Sequence, residues 1–331
     1  MAEKESYDVD EPFQVTECYA RELNEEESQK LQADTKLVPE FKRNKLELEA
    51  QKNWDLFYKR NTTKFFKDRH WTKREFFELS ECRSQTKHVI FEIGCGVGNF
   101  MFPLLEDDPS LTFYACDFSP RAVEFVKNHS SFDATRCTAF QCDITKDCIA
   151  DNVPKESVDT ATLIFVLSAL HPDKMVAAVK NIAQVLKPGS AILVRDYGLY
   201  DHAMLRFAKG HKLGEHFYVR QDGTRAYYFS IEKLNSVMEA AGLRTERCVY
   251  IQRATVNKKE GVNVLRTFIQ GKFVKTASDS ESCGVEDGIA DTLTSKCSGR
   301  NDVISAEKDS HKDKANSNAC LNSSKAEENV R

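Results

Sequence analysis

The run Val89-Ile90-Phe91-Glu92-Ile93-Gly94-Cys95-Gly96-Val97-Gly98-Asn99-Phe100 restricts the fold more than any other stretch of this chain. Apolar residues of strand type lead straight into Gly-x-Gly-x-Gly, and a helical pattern follows through Leu104-Leu105-Glu106. Glycines at alternate positions allow a tight turn whose backbone angles a side chain would oppose, and they let the main chain approach a ligand closely. At the carboxyl end of a first parallel strand, that geometry suits a nucleotide-like cofactor. It also suits a plain helix-packing turn in another α/β domain, so the residues downstream must decide. The dinucleotide fingerprint Gly-x-Gly-x-x-Gly is not met, because the third glycine is Gly98.

Leu111 to Cys116 reads as a second strand that ends in Asp117, 19 residues past Gly98. A carboxylate at that tip suits the two hydroxyls of an adenosine ribose. Ser119-Pro120 has the order of a helix cap, with Ser outside and Pro first inside. A third strand, Thr138 to Cys142, delivers Asp143 and Ile144. There an acid accepts from an adenine amino group while the apolar neighbour covers the ring. Thr160 to Leu167 is an apolar, β-branched run of buried-strand type. His171-Pro172 opens a helix over 173–186, Leu186-Lys187-Pro188-Gly189 ends it, and Ala191–Val194 gives strand five. A helix near 231–241 and two runs near 246–253 and 263–274, joined by a polar loop at 256–261, complete the pattern. This predicts a doubly wound, mostly parallel seven-stranded α/β sheet closed by an antiparallel hairpin. Gly94, Gly96 and Gly98, then Asp117, Asp143 and Leu-Lys-Pro-Gly, resemble in order and spacing the class I S-adenosylmethionine-dependent methyltransferases, which are Rossmann-like.

At 331 residues and 41% hydrophobic, the chain can bury a sizeable core. No apolar run reaches the roughly 18 residues of a membrane span, so no membrane association is expected. The acidic opening Met1-Ala2-Glu3-Lys4-Glu5 lacks secretory and transit patterns, which makes the cytoplasm, with the nucleus also open, the expected location. Eleven cysteines include no Cys-x-x-Cys pair, and Cys116 and Cys142 sit in strand-like runs. Buried reduced thiols are therefore expected rather than a metal site. Residues 1–28 carry ten acids and two bases, and residues 276–331 eleven acids and seven bases. The body between them holds 38 bases and 30 acids, a balance compatible with a polyanionic partner.

Residues 1–28 and the tail 276–331, which has no aromatic residue, are expected to be disordered. Ser28 to Arg60 reads as helix, with Pro39 near a helix start. Rings and bases then interleave densely through Lys64-Phe65-Phe66-Lys67-Asp68-Arg69-His70-Trp71. That extension, residues 29–80, is either an amphipathic cap with snorkelling bases or a nucleic-acid surface of cations and stacking faces. The methyltransferase domain is expected over 81–275.

Several segments narrow the match. Trp54-Asp55-Leu56-Phe57-Tyr58, Phe65 to Trp71, Cys116 to Ala122, Phe165 to Pro172 and Arg195 to Asp201 together resemble the tRNA N3-methylcytidine methyltransferases. Residues 214–228 and 256–261 look like that family too. The helix Phe41–Arg60 looks most like its cytosolic branch, which methylates serine tRNAs and works with seryl-tRNA synthetase. The resemblance implies S-adenosylmethionine as cofactor and N3 of cytidine 32 in the anticodon loop as target. By carry-over, Trp54, Tyr58, Gly94, Asp117, Asp143, Ile144 and Ile164 would hold the cofactor, with Trp54 and Tyr58 folded over it as a lid; Gly96 and Gly98 belong to the same turn.

Cytosine N3 carries an in-plane lone pair, so methyl transfer needs placement more than a strong base. The base must leave its stack to reach a pocket. In this fold the loop after strand five faces the methyl group, which nominates Asp196 to accept from the cytosine amino group, with Tyr197, Tyr200, Asp201 and His202 at the same mouth. Phe66 and Arg69 are candidates to stack on the base and bind O2 or a phosphate. For Tyr197 and His202, a satisfied polar group at a strand end is an equal reading. Lys59, Arg60, Lys64, Lys67, Arg69, Lys73, Arg74, Arg220, Arg225, Lys258 and Lys259 are the candidate tRNA contacts. Two rival classes stay open: a protein or small-molecule methyltransferase, and a non-catalytic module that binds tRNA or the synthetase.

Overall fold

A computed structural model describes residues 14–16, 20–79, 87–257 and 262–276. The expected disordered ends are outside these residues apart from 14–16, 20–28 and 276, and so are Lys258, Lys259 and the boundary near residue 80. The main sheet contains β1 (Gln14–Thr16), β2 (His88–Ile93), β3 (Leu111–Asp117), β4 (Cys137–Gln141), β5 (Val158–Ile164), β6 (Leu186–Tyr197), β10 (Leu243–Asn257) and β11 (Val262–Lys275). Their order is β1-β10-β11-β6-β5-β2-β3-β4. β2 pairs in parallel with β3 and β5, β3 with β4, and β5 with β6; β11 runs antiparallel to both β6 and β10. The seven expected strands and the closing hairpin are present. An eighth, β1, pairs with the edge of β10, so structure begins earlier in the acidic N-terminal stretch than composition suggested. β7 (Lys212–Gly214), β8 (Phe217–Val219) and β9 (Arg225–Tyr227) form a separate antiparallel sheet that periodicity did not reveal.

β2 is buried on both faces, which explains its unbroken apolar run. On one face Phe91 and Leu163 pack with Val179 and Ile182 of α7 (Pro172–Ala183) and with Leu234 and Met238 of α9 (Ile231–Ala240). On the other, Ile90 and Phe113 pack with Leu104 of α5 (Met101–Asp107) and Val126 of α6 (Pro120–Lys127). Each such side chain contributes about 1.5–3 kcal/mol by leaving water. The helix starts follow the sequence: Ser119, His171 and Ser230 each accept an N–H from the first turn of their helix. Leu186-Lys187-Pro188-Gly189 opens β6 rather than ending a helix, since α7 stops at Ala183.

The stretch Ser28 to Arg60, read as helix with a start near Pro39, falls in three helices. α1 (Glu25–Ala33) starts in a capping box formed by Asn24 and Glu27. α2 (Glu40–Leu48) follows Pro39, and α3 (Ala50–Asn61) follows Glu49, where the backbone leaves the helical region. Between α1 and α2 the buried Val38 donates its N–H to the Lys212 carbonyl at 2.8 Å, tying the chain to the small sheet. Anchoring here outweighs the helix propensity of the residues around it. Among the described residues no helix is long and apolar enough to cross a membrane.

Candidate active site

The glycine turn after β2 sets the floor of the site. Gly94, Gly96 and Gly98 have φ of +65°, +56° and +88°, where a side chain is strained. Each is also crowded by a different neighbour. A Cβ on Gly94 would lie 2.5 Å from Val166, one on Gly96 2.9 Å from the Tyr58 hydroxyl, and one on Gly98 2.2 Å from Phe102. Gly98 therefore makes room for α5; it does not line the cleft as Gly94 and Gly96 do.

Asp117 ends β3 beside this turn. One carboxylate oxygen accepts from Gly96 N–H at 3.0 Å and the other from Ser119 N–H at 2.9 Å. Burial pushes its carboxyl up to about 6, and the N–H groups of Ser119, Gly96 and Phe118 oppose the rise. Asp143 follows β4. Its burial favours the acid, but hydrogen bonds from Lys146 and Thr145 hold it below the ordinary range. Trp54, Tyr58, Ile93, Gly94, Asp117, Asp143, Ile144 and Phe165 line one cleft.

A second cleft opens from the same place and shares Trp54, Tyr58, Gly94 and Phe165 with the first. Its wall includes Phe66, Lys67, Arg69, Trp71, Glu92, Ile164, Ser168, Tyr197, Arg220, Arg266 and Phe268. Buried Glu92 and half-buried Arg69 both line it and act on each other's charge. Glu92 Oε2 and Arg69 Nη1 each have no hydrogen-bond partner. Burial raises the Glu92 carboxyl to about 8 despite Arg69, and burial lowers Arg69 despite Glu92. A carboxylate and a guanidinium with spare bonding capacity complement the ammonium and carboxylate of an amino acid. Together with Asp117 for a diol and Ile144 for a ring, these residues fit S-adenosylmethionine.

Of the N-terminal helices, α3 brings Trp54 and Tyr58 to both clefts. Asp55 accepts from the Ser119 hydroxyl at 3.0 Å and from Arg121, which pins α3 to the start of α6. Glu47 of α2 bonds Lys174 and Arg225, and Asn53 bonds the Gly223 carbonyl at 3.2 Å. Arg69 N–H donates to the Asn99 carbonyl at 2.8 Å and its guanidinium lies 5.3 Å from the Phe165 ring centre, so the aromatic-basic segment folds over the glycine turn.

Several candidates sit elsewhere than expected. Asp196 is fully buried behind the wall, not on it: its oxygens accept from Ser168 N–H and Tyr197 N–H, both at 2.9 Å. Burial pushes its carboxyl up to about 6, with those donors opposing. Tyr197 and Ser168, which it holds, are the residues that line the cleft at this point. Asp201 is also fully buried; it caps α8 (His202–Leu205) and holds Arg266 at 2.9 Å and Thr267 N–H at 2.7 Å. It aims Arg266 into the cleft rather than entering it. Tyr200, at φ +59°, packs with Leu199 and Met204, and His202 begins α8; neither lines the clefts. Arg225 is buried in a pair with Glu47 and meets the cleft from inside, so it is not an open tRNA contact. Lys73 pairs with Asp107 at 2.8 Å. Lys59, Arg60, Lys64, Lys67 and Arg74 are exposed.

Sequence reasoning did not assign Glu92, Phe165, Arg266 or Phe268. Glu92 was visible two residues before Gly94. Arg266 and Phe268 alternate on β11 toward one side, a period-2 signal. Phe165 adopts φ +61°, and nothing in its apolar run announces that.

Residues 91–192 match the family model described as "Methyltransferase domain". The human tRNA N(3)-cytidine methyltransferase METTL6 is 60% identical over 258 residues, spanning 77% of this chain and 91% of that protein. The fission yeast (Schizosaccharomyces pombe) tRNA N(3)-methylcytidine methyltransferase trm141 is 42% identical over 234 residues, or 70% and 94% of the two chains. A crystal structure of a SAM-dependent methyltransferase from Anabaena variabilis superposes with a TM-score of 0.51 at 11% identity, covering 68% of this chain and 94% of that one, which shows the shared fold. With relatives so similar over nearly their whole length, the chain belongs to the tRNA N(3)-cytidine methyltransferase family.

Proposed function

We propose that this enzyme methylates N3 of cytidine 32 in the anticodon loop of serine tRNAs, using S-adenosylmethionine. The observation that carries the reading is two clefts joined through Trp54, Tyr58, Gly94 and Phe165, one suited to a nucleoside cofactor and the other walled by rings and arginines. The cofactor supplies a sulfonium methyl group, which passes to the N3 lone pair and leaves a cationic base and a neutral thioether.

The protein's part is placement and charge. With the cofactor bound, Asp117 would accept from the ribose diol, and Asp143 with Ile144 would frame the adenine. Glu92 and Arg69 would take the ends of the amino-acid moiety, and Tyr58 and Trp54 would exclude water. Phe66, Phe165, Tyr197 and Phe268 offer faces for a base turned out of its loop. Buried Asp196 acts through its field: once ionised above about pH 6, it stabilises the positive charge that develops on the base. It also holds the Ser168 and Tyr197 backbones in position. Arg220 and the exposed Lys59, Lys64, Lys67 and Arg74 serve the phosphates.

The finer assignment rests on the likeness of Phe41–Arg60 to the cytosolic serine-tRNA branch, with seryl-tRNA synthetase as partner and the cytoplasm, with nuclear tRNA also within reach, as place of action. Methylation of serine and threonine tRNA transcripts, with cytidine 32 intact or replaced by uridine and with or without the synthetase, tests it. Label should enter only serine tRNA with cytidine 32 and rise with the synthetase. Equal labelling of the uridine-32 transcript, or a preference for threonine tRNA, would overturn the assignment.

A further inference from the structure

Beside the reaction cleft lies a third hollow, formed by the end of α3, the segment after α8 and the β8–β9 turn. Its lining brings together Arg60, Arg206, His211 and Arg220 with Phe207 and Tyr228. Asp222 is the acid among the residues that line it; its Oδ1 is taken by Thr224 at 2.7 and 2.9 Å, and its Oδ2 lies 3.9 Å from the Arg60 guanidinium, a loose pair that holds Arg60 at the rim. Arg206 is exposed; its backbone N–H donates to the Met204 carbonyl at the end of α8, and its side chain makes no hydrogen bond or ion pair among the described residues. His211 Nδ1 bonds the Val219 carbonyl at 2.7 Å, which leaves Nε2 for another partner. Phe207 stacks on Tyr218 with ring centres 4.7 Å apart and planes 8° from parallel.

Arg220 belongs to both hollows. It donates to the Arg225 carbonyl at 3.0 Å, and its guanidinium lies 5.5 Å from the Tyr197 ring centre. A cation fixed by the backbone at the boundary of two clefts suits a phosphate that links two nucleotides. Rings and cations in alternation are what single-stranded RNA needs, because unstacked bases present faces and the backbone presents charge.

We infer that this hollow is a subsite for the single-stranded RNA nucleotide adjoining the one whose base enters the reaction cleft. Arg220 holds the shared phosphate, Arg206 and Arg60 the outer phosphate, and Phe207 forms the wall beside the neighbouring base. The inference rests on the reading that RNA is the substrate; it gives Arg60 and Arg220 a definite place and adds Arg206 and Phe207, which no motif pointed to.

The test is equilibrium binding of fluorescently labelled tRNA to the full chain saturated with S-adenosylhomocysteine, repeated across salt concentrations. Arg206→Ala should weaken binding about tenfold at low salt and make the slope of log K against log salt shallower by about 0.7, the value for one contact to a single strand. Phe207→Leu should weaken binding without changing the slope. Arg244→Ala, an exposed arginine on β10, is the control and should alter neither. Wild-type affinity and slope for Arg206→Ala would overturn the subsite, and so would an equal loss in the Arg244 control. Binding is read without turnover, so the two claims fail separately: absent 3-methylcytidine in the wild type refutes the reaction, and an unaffected Arg206→Ala refutes only the subsite.

Discussion

Gly96 offers the sharpest test of how the lid meets the glycine turn. Its φ is +56°, and an added Cβ would lie 2.9 Å from the Tyr58 hydroxyl oxygen, with Tyr58 Cζ next at 3.7 Å. Gly96→Ala therefore carries two costs. The left-handed backbone costs a residue with a Cβ about 1–2 kcal/mol, and the overpacked contact adds about 1–3 kcal/mol. Only the second depends on the hydroxyl. In a Tyr58→Phe background the nearest tyrosine atom is already at ordinary contact distance. Tyr58→Phe alone should cost no more than about 0.5–1.5 kcal/mol. The double variant should thus be more stable than the two single effects imply, by about 1–3 kcal/mol. Denaturant unfolding and calorimetric titration with S-adenosylmethionine supply the four corners of the cycle. Effects that add to within about 0.5 kcal/mol would refute packing of Tyr58 on the turn.

Four further outcomes follow from the buried acids. Asp117→Asn should weaken S-adenosylmethionine binding about 10- to 100-fold, the loss of a hydrogen bond to a charged acceptor, and titration across pH should show wild-type affinity falling as pH drops through about 6 while the variant stays flat. Glu92, raised to about 8, is roughly nine-tenths protonated at neutral pH; an ammonium group bound beside it should expel that proton, and calorimetry in buffers of different ionisation enthalpy should detect the release in the wild type and lose it in Glu92→Gln. Because Glu92, Asp117 and Asp196 are all raised, the folded chain binds more protons than the unfolded one between about pH 4 and 8. These groups therefore favour the fold most below their ordinary values, and their contribution is lost as pH rises through about 6 and then 8; the thermal midpoint of the ligand-free protein should fall less steeply over that range in Glu92→Gln. At saturating cofactor, kcat should rise with pH through about 6 as Asp196 ionises, and Asp196→Asn should lower kcat at least tenfold and abolish that limb; an unchanged profile would remove Asp196 from the reaction.

The parts of the fold that depend on local pattern were legible. β2 reads as a strand because both its faces are buried, and Asp117 and Asp143 stand at strand tips because parallel strands deliver their last residues to one edge. The parts that depend on distant partners were not. Asp201 looked like a cleft residue because it follows β6 closely, yet it is claimed by Arg266 and Thr267, some 65 residues on. Glu47 and Arg225, 178 residues apart, decide how α2 sits, and neither carries a local signal of the other. The helical reading of Ser28 to Arg60 placed a start near Pro39, as observed, but not the non-helical stretch before it, where Val38 is buried and bonded to the small sheet. Gly98 looked equivalent to Gly94 and Gly96 in spacing, but its missing side chain serves Phe102.

The central claim is that the joined clefts move a methyl group from S-adenosylmethionine to cytidine N3 in tRNA. Its most direct test is nucleoside mass spectrometry of bulk tRNA lacking this modification, after incubation with the purified chain and isotope-labelled S-adenosylmethionine. The account predicts labelled 3-methylcytidine, lost in Asp117→Ala. Tight cofactor binding with no labelled 3-methylcytidine, or with label only in 4- or 5-methylcytidine, would contradict it.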